Sequence, residues 1–265
     1  MSPERPEKAS AKKWLVALAA LLSVVLTLKL GHWQLTRAWE KENLQSAIEN
    51  QAKRLPLDNA GLLASADTVE KNPTAKLSAN LHRPVKLRGS WASPQTVFLD
   101  NRQMDGKPGF YVVTPLQLQD SKLAVLVQRG WVQRNFQDRS QLPPVQTPAG
   151  VVEIEGRLAP APAQLYDLGA DVRGPIRQNI DLVSFGRETG LALLPFSVVQ
   201  TVAERIGVRE GTAGQDSLLR RWPQAASGAG KNYGYAFQWF ALSALITSLY
   251  VWFQFGKRYV SQRKS

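Results

Sequence analysis

Hydrophobic residues along this 265-residue chain follow two patterns. Unbroken apolar runs, Trp14 to Leu28 and Tyr235 to Phe255, lie near the two ends, and between them apolar positions recur with a period of two in short segments. The second run holds 21 residues without a charge. At 1.5 Å per residue it makes about 31 Å of helix, enough to cross a bilayer core. The first run continues past Lys29 into Leu30, His32 and Trp33, and no small-x-small cleavage pattern follows it. It therefore reads as an uncleaved span, with Lys29 snorkelling and the His-Trp pair suited to the headgroup zone.

Beyond this span Leu35, Trp39, Leu44, Ala47 and Ile48 recur at three- to five-residue spacings among charges, predicting an amphipathic helical continuation that stops before Pro56. A polar connector runs from Leu57 to about Asn80, with a short helix near Ala60 to Val69. From Arg83 the period becomes two. Val85 and Leu87 alternate with Lys86 and Arg88, and comparable segments cover Val97 to Leu99, Tyr111 to Thr114, Leu123 to Trp131 and Val151 to Leu158. Shorter candidates are Pro175 to Ile180 and Pro195 to Thr201, while Pro108 and Pro115 should mark strand ends. Asp181 to Thr189 has the signature of one short helix, with Asp181 as N-cap and Gly190 as its stop.

The expected architecture is a membrane protein in which two transmembrane helices flank an extramembrane, mainly antiparallel β domain, barrel- or sandwich-like, with one or two short helices. Its divisions are a tail (1–13), the first transmembrane helix (14–32), an amphipathic extension (33–56), the β-rich domain (57–207), a linker loop (208–234), the second transmembrane helix (235–255) and a basic tail (256–265). The Pro-rich stretch Ser140 to Gly150 reads as a loop, and Val208 to Lys231, rich in Gly, Ser and Ala, as a linker that tolerates mobility.

The chain carries 33 Lys and Arg against 21 Asp and Glu, a formal charge of +12. Arg5, Lys8, Lys12 and Lys13 crowd the start, and Lys257, Arg258, Arg263 and Lys264 crowd the end. The positive-inside rule then puts both termini in the cytoplasm and the domain in the periplasm of an inner (plasma) membrane, or in the equivalent mitochondrial space. The two tails supply +2 and +4 of the total. Much of the basicity is thereby topology and contact with anionic membrane lipids, which argues against a nucleic-acid partner. With no cysteine and only His32 and His82, thiolate and histidine-rich metal sites are excluded.

Catalytic patterns are sparse. The chain has no nucleophile elbow, and Ala226 to Lys231 matches a phosphate loop only in composition. Asp167 and Asp171 read as turn residues. More informative are the residues at the outer membrane boundary. Gly31, His32, Trp33, Gln34 and Arg37 close the first span, and Asn232, Tyr233, Gly234, Tyr235, Gln238 and Trp239 open the second, so the two sets should share one interface and can face each other. Gln238, one turn into the apolar run, needs a hydrogen-bonding partner and should face the other helix or the domain.

These residues carry a family resemblance. The GxWQxxR pattern of Gly31, Trp33, Gln34 and Arg37 with Lys41, the RPVKLRGSW strand at Arg83 to Trp91, the GKPGFYVVTPL segment at Gly106 to Leu116, the VLVQRGWV segment at Val125 to Val132 and the NYGYAFQWF segment at Asn232 to Phe240 together resemble the Surfeit locus protein 1 family of cytochrome c oxidase assembly factors. Each motif is weak, but five in order are specific. The resemblance implies a non-enzymatic role in maturing the catalytic subunit of a haem-copper oxidase, with haem a as a cargo of some bacterial members.

One departure stands out: Tyr233 occupies the position where such proteins often have a histidine associated with haem. His32 and Tyr233 are then the candidate haem ligands, set against interfacial anchoring of both. Arg102 and Arg129 either pair with domain carboxylates or hold haem propionates, and Gly109, Gly130 and Trp131 mark bulges or close backbone approach in the sheet. His82, at the start of a strand, more simply caps a turn. Two other readings stay open, a general membrane-anchored envelope scaffold or chaperone without cofactor, and a membrane-anchored hydrolase.

Overall fold

The computed structural model describes residues 6–71, 80–138, 141–166, 174–206, 217–223 and 228–256. They form two compact units, one from Met1–Ser46 with Gln224–Ser265 and the other from Ala47–Pro223. Helix α1 spans Pro6–Ala52, and its last residues enter the second unit. The first unit is a helical hairpin made by α1 and the returning helix, Ala229–Val251, which ends in a π turn at Trp252–Gly256. Both helices are long and apolar enough to cross a membrane. Leu15, Leu22 and Phe237 are among many apolar side chains that point outward, as a pair surrounded by lipid requires. The returning helix starts six residues before Tyr235, because Gly228, in the left-handed region at φ 95°, turns the chain into it.

The second unit is built on eight strands: β1 (Pro84–Trp91), β2 (Val97–Met104), β3 (Lys107–Leu118), β4 (Leu123–Gln133), β5 (Val151–Ala159), β6 (Ile176–Arg177), β7 (Ala192–Gln200) and β8 (Arg205–Ile206). Neighbours run β1-β5-β7-β4-β3-β2-β6, with β8 on β5, and an additional β1–β3 pairing closes β1, β5, β7, β4 and β3 into a barrel. Closure depends on β3. Its residues 107–113 pair with β2, whereas Leu116 to Leu118 pair with Gly89 to Trp91 of β1. Pro115 therefore lies inside a strand rather than at its end, at the point where β3 exchanges neighbours and a missing N–H breaks no ladder bond. Six pairings are antiparallel; β4 with β7 and β2 with β6 are parallel.

Alternation drives the core. Val85, Leu87, Leu116, Leu118, Val125, Val127, Ile154, Leu158, Phe196 and Val198 all point into the barrel. Burying each of these side chains stabilises by about 2 kcal/mol. Helix α2 (Asn59–Lys71) adds Leu62 and Ala66 to the same core. Just before it, Leu57 forms a parallel bridge to Val85, and the Asn59 amide donates to the Arg88 carbonyl (2.8 Å) while its oxygen accepts from the Arg88 N–H (3.0 Å). A short segment with one side chain thus completes the edge of β1 that β3 does not reach.

Helix α3 (Leu182–Thr189) covers a second apolar cluster, Val97, Leu99, Val113 and Leu126, with Leu182 and Phe185. The returning helix of the hairpin is α4. In α3 the Asp181 carboxylate accepts from the Ser184 N–H, and Gly190 closes the helix in the left-handed region. A third cluster, Phe98, Phe110 and Val112, is covered by Leu218 and by Leu142 and Val145 of the Pro-rich loop.

Leu218 corrects the reading of 208–234 as a linker loop. Residues 207–216 and 224–227 lie outside the described residues, but Leu218 is buried, Leu219 pairs in both directions with the Trp131 backbone, and Trp222 packs on Tyr111. Asp167 and Asp171 also lie outside the described residues.

The hydrogen bond from the Ser184 N–H holds the Asp181 carboxyl below its ordinary range. A depressed folded-state pKa makes this contribution complete above the ordinary carboxylate range and lost as pH falls through the lowered value. Asp181→Ala should cost about 1 kcal/mol at neutral pH. Denaturant titration should show that gap to the parent narrowing at acidic pH, while Asp181→Asn, which keeps an acceptor, stays near the parent at neutral pH.

Candidate functional site

The motif residues fall into two clusters, one in each unit. In the hairpin, α1 and α4 approach along small or buried positions: Thr27, Gly31 and Ala38 on one helix, Ala236 and Ser243 on the other. A methyl group placed on Gly31 would lie 2.8 Å from the Phe240 ring, so the glycine is needed for this approach. Near the start of α4 Asn232 is a two-way link. Its Nδ2 donates to Gln34 Oε1 (2.7 Å), and its Oδ1 accepts from Lys41 Nζ (2.8 Å). One residue on along each helix, the Tyr233 hydroxyl donates to Glu42 Oε2 (2.9 Å).

Gln34, Lys41 and Asn232 therefore fasten the two helices to each other, and the two boundary sets do face one another. Arg37 pairs with Glu40 on its own exposed helix face at 2.9 Å, a contact worth about 0.3–0.5 kcal/mol. Trp33 and Tyr235 are more than half exposed, and Trp239 is partly so, as belt residues are. Gln238 does not behave as expected. Its side chain is exposed and has no partner among the described residues, since the helix turns Ala236 and Phe240 toward α1 instead.

The structure does not bring the two candidate haem ligands together. Glu42, which holds the Tyr233 hydroxyl, lies ten residues beyond His32, about 15 Å along α1. The Tyr233 oxygen is already committed as a donor, and His32 is exposed on the helix surface. His32 and Tyr233 are alternative single-ligand candidates, and they lie at different heights of the hairpin. His82 lies in the other unit at a turn with φ 68°, its N–H donating to the Leu158 carbonyl. Burial, then the Arg157 charge, pushes its imidazole pKa down.

The second cluster surrounds a bulge in β4. Val112 pairs with Gly130 and Val113 with Gln128, so Arg129 is the extra residue. Its side chain is fully buried. Nη2 donates to Glu204 Oε1 (2.7 Å) and to the Gln146 carbonyl (2.8 Å), Nη1 donates to Thr147 Oγ1 (2.7 Å), and the guanidinium lies 4.6 Å over the Trp91 ring. Glu204, equally buried, also accepts from Gln200 Nε2 at 2.9 Å and has Arg220 at 3.7 Å.

Arg102 differs from the carboxylate expectation. It donates to the Gln178 carbonyl (3.0 Å) and lies 5.8 Å over the Tyr111 ring, where burial pushes the guanidinium pKa down and the phenol up.

Trp131 ties these parts together. Its indole N–H donates to the Arg102 carbonyl at 2.9 Å, and a methyl on Gly109 would sit 2.5 Å from its ring. A methyl on Gly130 would meet the Leu218 side chain at 2.7 Å. Gly109 thus leaves room for the indole, and Gly130 for the returning segment. Sequence reasoning reached Arg129, Gly130 and Trp131 but missed Glu204, Gln200 and Arg220. The available signal was Glu204 itself, an acid just after a strand written almost wholly in apolar residues.

Two outcomes follow from this geometry. Glu204→Gln and Arg129→Met, each leaving half of a buried pair, should lose about 3–5 kcal/mol in chemical denaturation, and the double variant should recover part of that loss. In the hairpin, cysteines at Glu42 and Tyr233, in a chain with no native cysteine, should be joined by a short bis-maleimide. Adding Gly31→Val should cut the crosslinking yield several-fold by separating the helices.

A profile of the SURF1 family matches residues 21–244. A SURF1-like protein from Rickettsia bellii is 27% identical over 252 residues, covering 93% of this chain and 92% of its own. Surfeit locus protein 1 from Arabidopsis thaliana is 31% identical over 144 residues, 51% of this chain and 38% of its own. The cytochrome oxidase assembly protein SHY1 of Saccharomyces cerevisiae is 26% identical over 129 residues, 48% of this chain and 30% of its own. The matched region includes most of each helix of the hairpin and the whole barrel, and the chain belongs to the SURF1 family.

Proposed function

We propose that this protein is a two-pass membrane assembly factor for a cytochrome oxidase. Its client would be the catalytic subunit, and both tails would be cytoplasmic. The observation that carries the reading is family membership together with a yeast relative named for cytochrome oxidase assembly. The positions of the motif residues support it. Gly31, Gln34, Lys41 and Asn232 join helices, while Gly109, Arg129, Gly130 and Trp131 build a buried scaffold, an inventory suited to presenting a surface rather than to bond chemistry. The basic residues at both chain ends support the orientation. Haem a is the cargo implied by resemblance, with His32 or Tyr233 as the single candidate ligand, and the reading rests on no haem step.

Deletion of the gene should lower the content and activity of haem-copper oxidase under conditions that demand it, leaving other respiratory complexes near normal. Complementation with a His32→Ala/Tyr233→Phe chain should restore most of the oxidase. Unchanged oxidase in the deletion strain would overturn the reading, and recovery of many unrelated membrane clients without oxidase bias would replace it with a general scaffold.

A further inference from the structure

Arg102 is a buried charge that no carboxylate answers. Strict alternation after buried Leu99 would turn Asn101 inward and Arg102 outward. Instead β2 slips register against β3 between Leu99 and Arg102, with Asn101 in the left-handed region at φ 58°, and the arginine takes the inward position at 6% exposure. Its backbone is pinned there by the Trp131 indole, which donates to the Arg102 carbonyl at 2.9 Å. The guanidinium is held as firmly. Nη2 donates to the Gln178 carbonyl at 3.0 Å, and the group lies over the Tyr111 ring, which Trp222 meets edge-on at 5.1 Å.

The carboxylates of this region are committed elsewhere. Asp100, two residues earlier, pairs with Arg134, Asp105 pairs with Arg221 (2.5 Å), and Glu188 pairs with Arg177 (2.5 Å). Nε of Arg102 is enclosed with no partner; Nη1 also has none among the described residues, but it is not enclosed. Tyr111, Gln178 and Trp222 are only half-buried, so the guanidinium is approached from their side. The Tyr111 hydroxyl likewise has no partner among the described residues. A buried cation without a counter-charge weakens a fold, and the same domain shows the answered arrangement at Arg129 and Glu204.

We propose that Arg102 is the binding site for a ligand carboxylate, which supplies the missing charge. One carboxylate oxygen accepts from Nη1 and the other from the second hydrogen of Nη2, with the Tyr111 hydroxyl as a further donor. A planar fork favours a carboxylate over a spherical halide, and a single unanswered charge favours a monoanion over a phosphate dianion. The carboxylate can be that of a free organic acid or of a polypeptide. This site is separate from the oxidase reading, since it is measured on the isolated protein.

The test is thermal unfolding of the full chain in mild detergent, followed by tryptophan fluorescence, in sodium acetate and in sodium chloride at equal ionic strength. At 100 mM, acetate should raise the melting midpoint above its chloride value by roughly 3–6 °C, as expected for a dissociation constant on the order of 10 mM. Arg102→Met should abolish that difference while melting no lower than the parent in chloride, because it removes an uncompensated charge; a purely structural arginine would melt lower, as is expected for Arg129→Met. Arg102→Lys, which keeps a charge without the fork, and Tyr111→Phe should each reduce the acetate shift several-fold. N-acetylglycine and succinate, run beside acetate, tell a polypeptide carboxylate from a free diacid by which of the two gives the larger shift. Either of two results would overturn the proposal: equal midpoints in acetate and chloride, or an acetate shift that persists in both Arg102→Met and Arg102→Lys.

Discussion

A buried guanidinium needs acceptors and a counter-charge, and much of the sheet domain can be understood as the means of bringing Glu204, Gln146 and Thr147 to the two terminal nitrogens of Arg129. The bulge in β4 aims the side chain inward, the segment after β7 brings Glu204, the Pro-rich loop brings Gln146 and Thr147, and β1 brings the face of Trp91. Three other stretches of the chain thereby converge on one charge. Such a pair adds little net stability against an apolar alternative but penalises every arrangement in which one partner is missing. It specifies the register of β4 against β3, and so which residues face the barrel.

In the hairpin the constraint is different, because lipid supplies no hydrophobic drive for two apolar helices to meet. Association rests on close backbone approach at Gly31 and on the amide and ammonium contacts of Gln34, Asn232 and Lys41. Among the described residues these polar contacts lie toward the Ala229 end of α4, and the helices leave a gap between Ala17 and Tyr250.

Much of this was legible in the sequence because it is local. The two spans, the alternating strands and the Asp181 cap are set by residues within a turn or a pleat of each other; the apolar runs lie in the two long helices, the alternating segments lie in strands and Asp181 caps α3, while element ends such as Ala229 and Lys107 run past the apolar pattern. What failed was long-range or disguised by composition. The partner of Arg129 is 75 residues away, and no spacing rule selects Glu204. Leu218 and Leu219 sit in a Gly- and Ser-rich stretch whose composition hides that Leu218 covers the third apolar cluster and Leu219 pairs with the Trp131 backbone. Gln238 was misread because its depth was clear but its direction depended on which face α4 turns toward α1. The facing of Gln34 and Asn232 was legible, since both bound the same interface; the donor and acceptor roles were not.

The parallel pairing of β4 with β7 has a consequence for biogenesis. The barrel needs Leu123 to Gln128 and Leu193 to Val199 side by side, so it cannot close until the chain has been made through the end of β7. Little more than thirty residues then separate that point from the second span. While the intervening sheet residues emerge they must wait, tethered at one end by α1, with apolar strand faces uncovered. Non-local pairing of this kind is slow to form. The timing of the second helix's entry into the bilayer is thereby coupled to the folding of a domain on the other side of the tether.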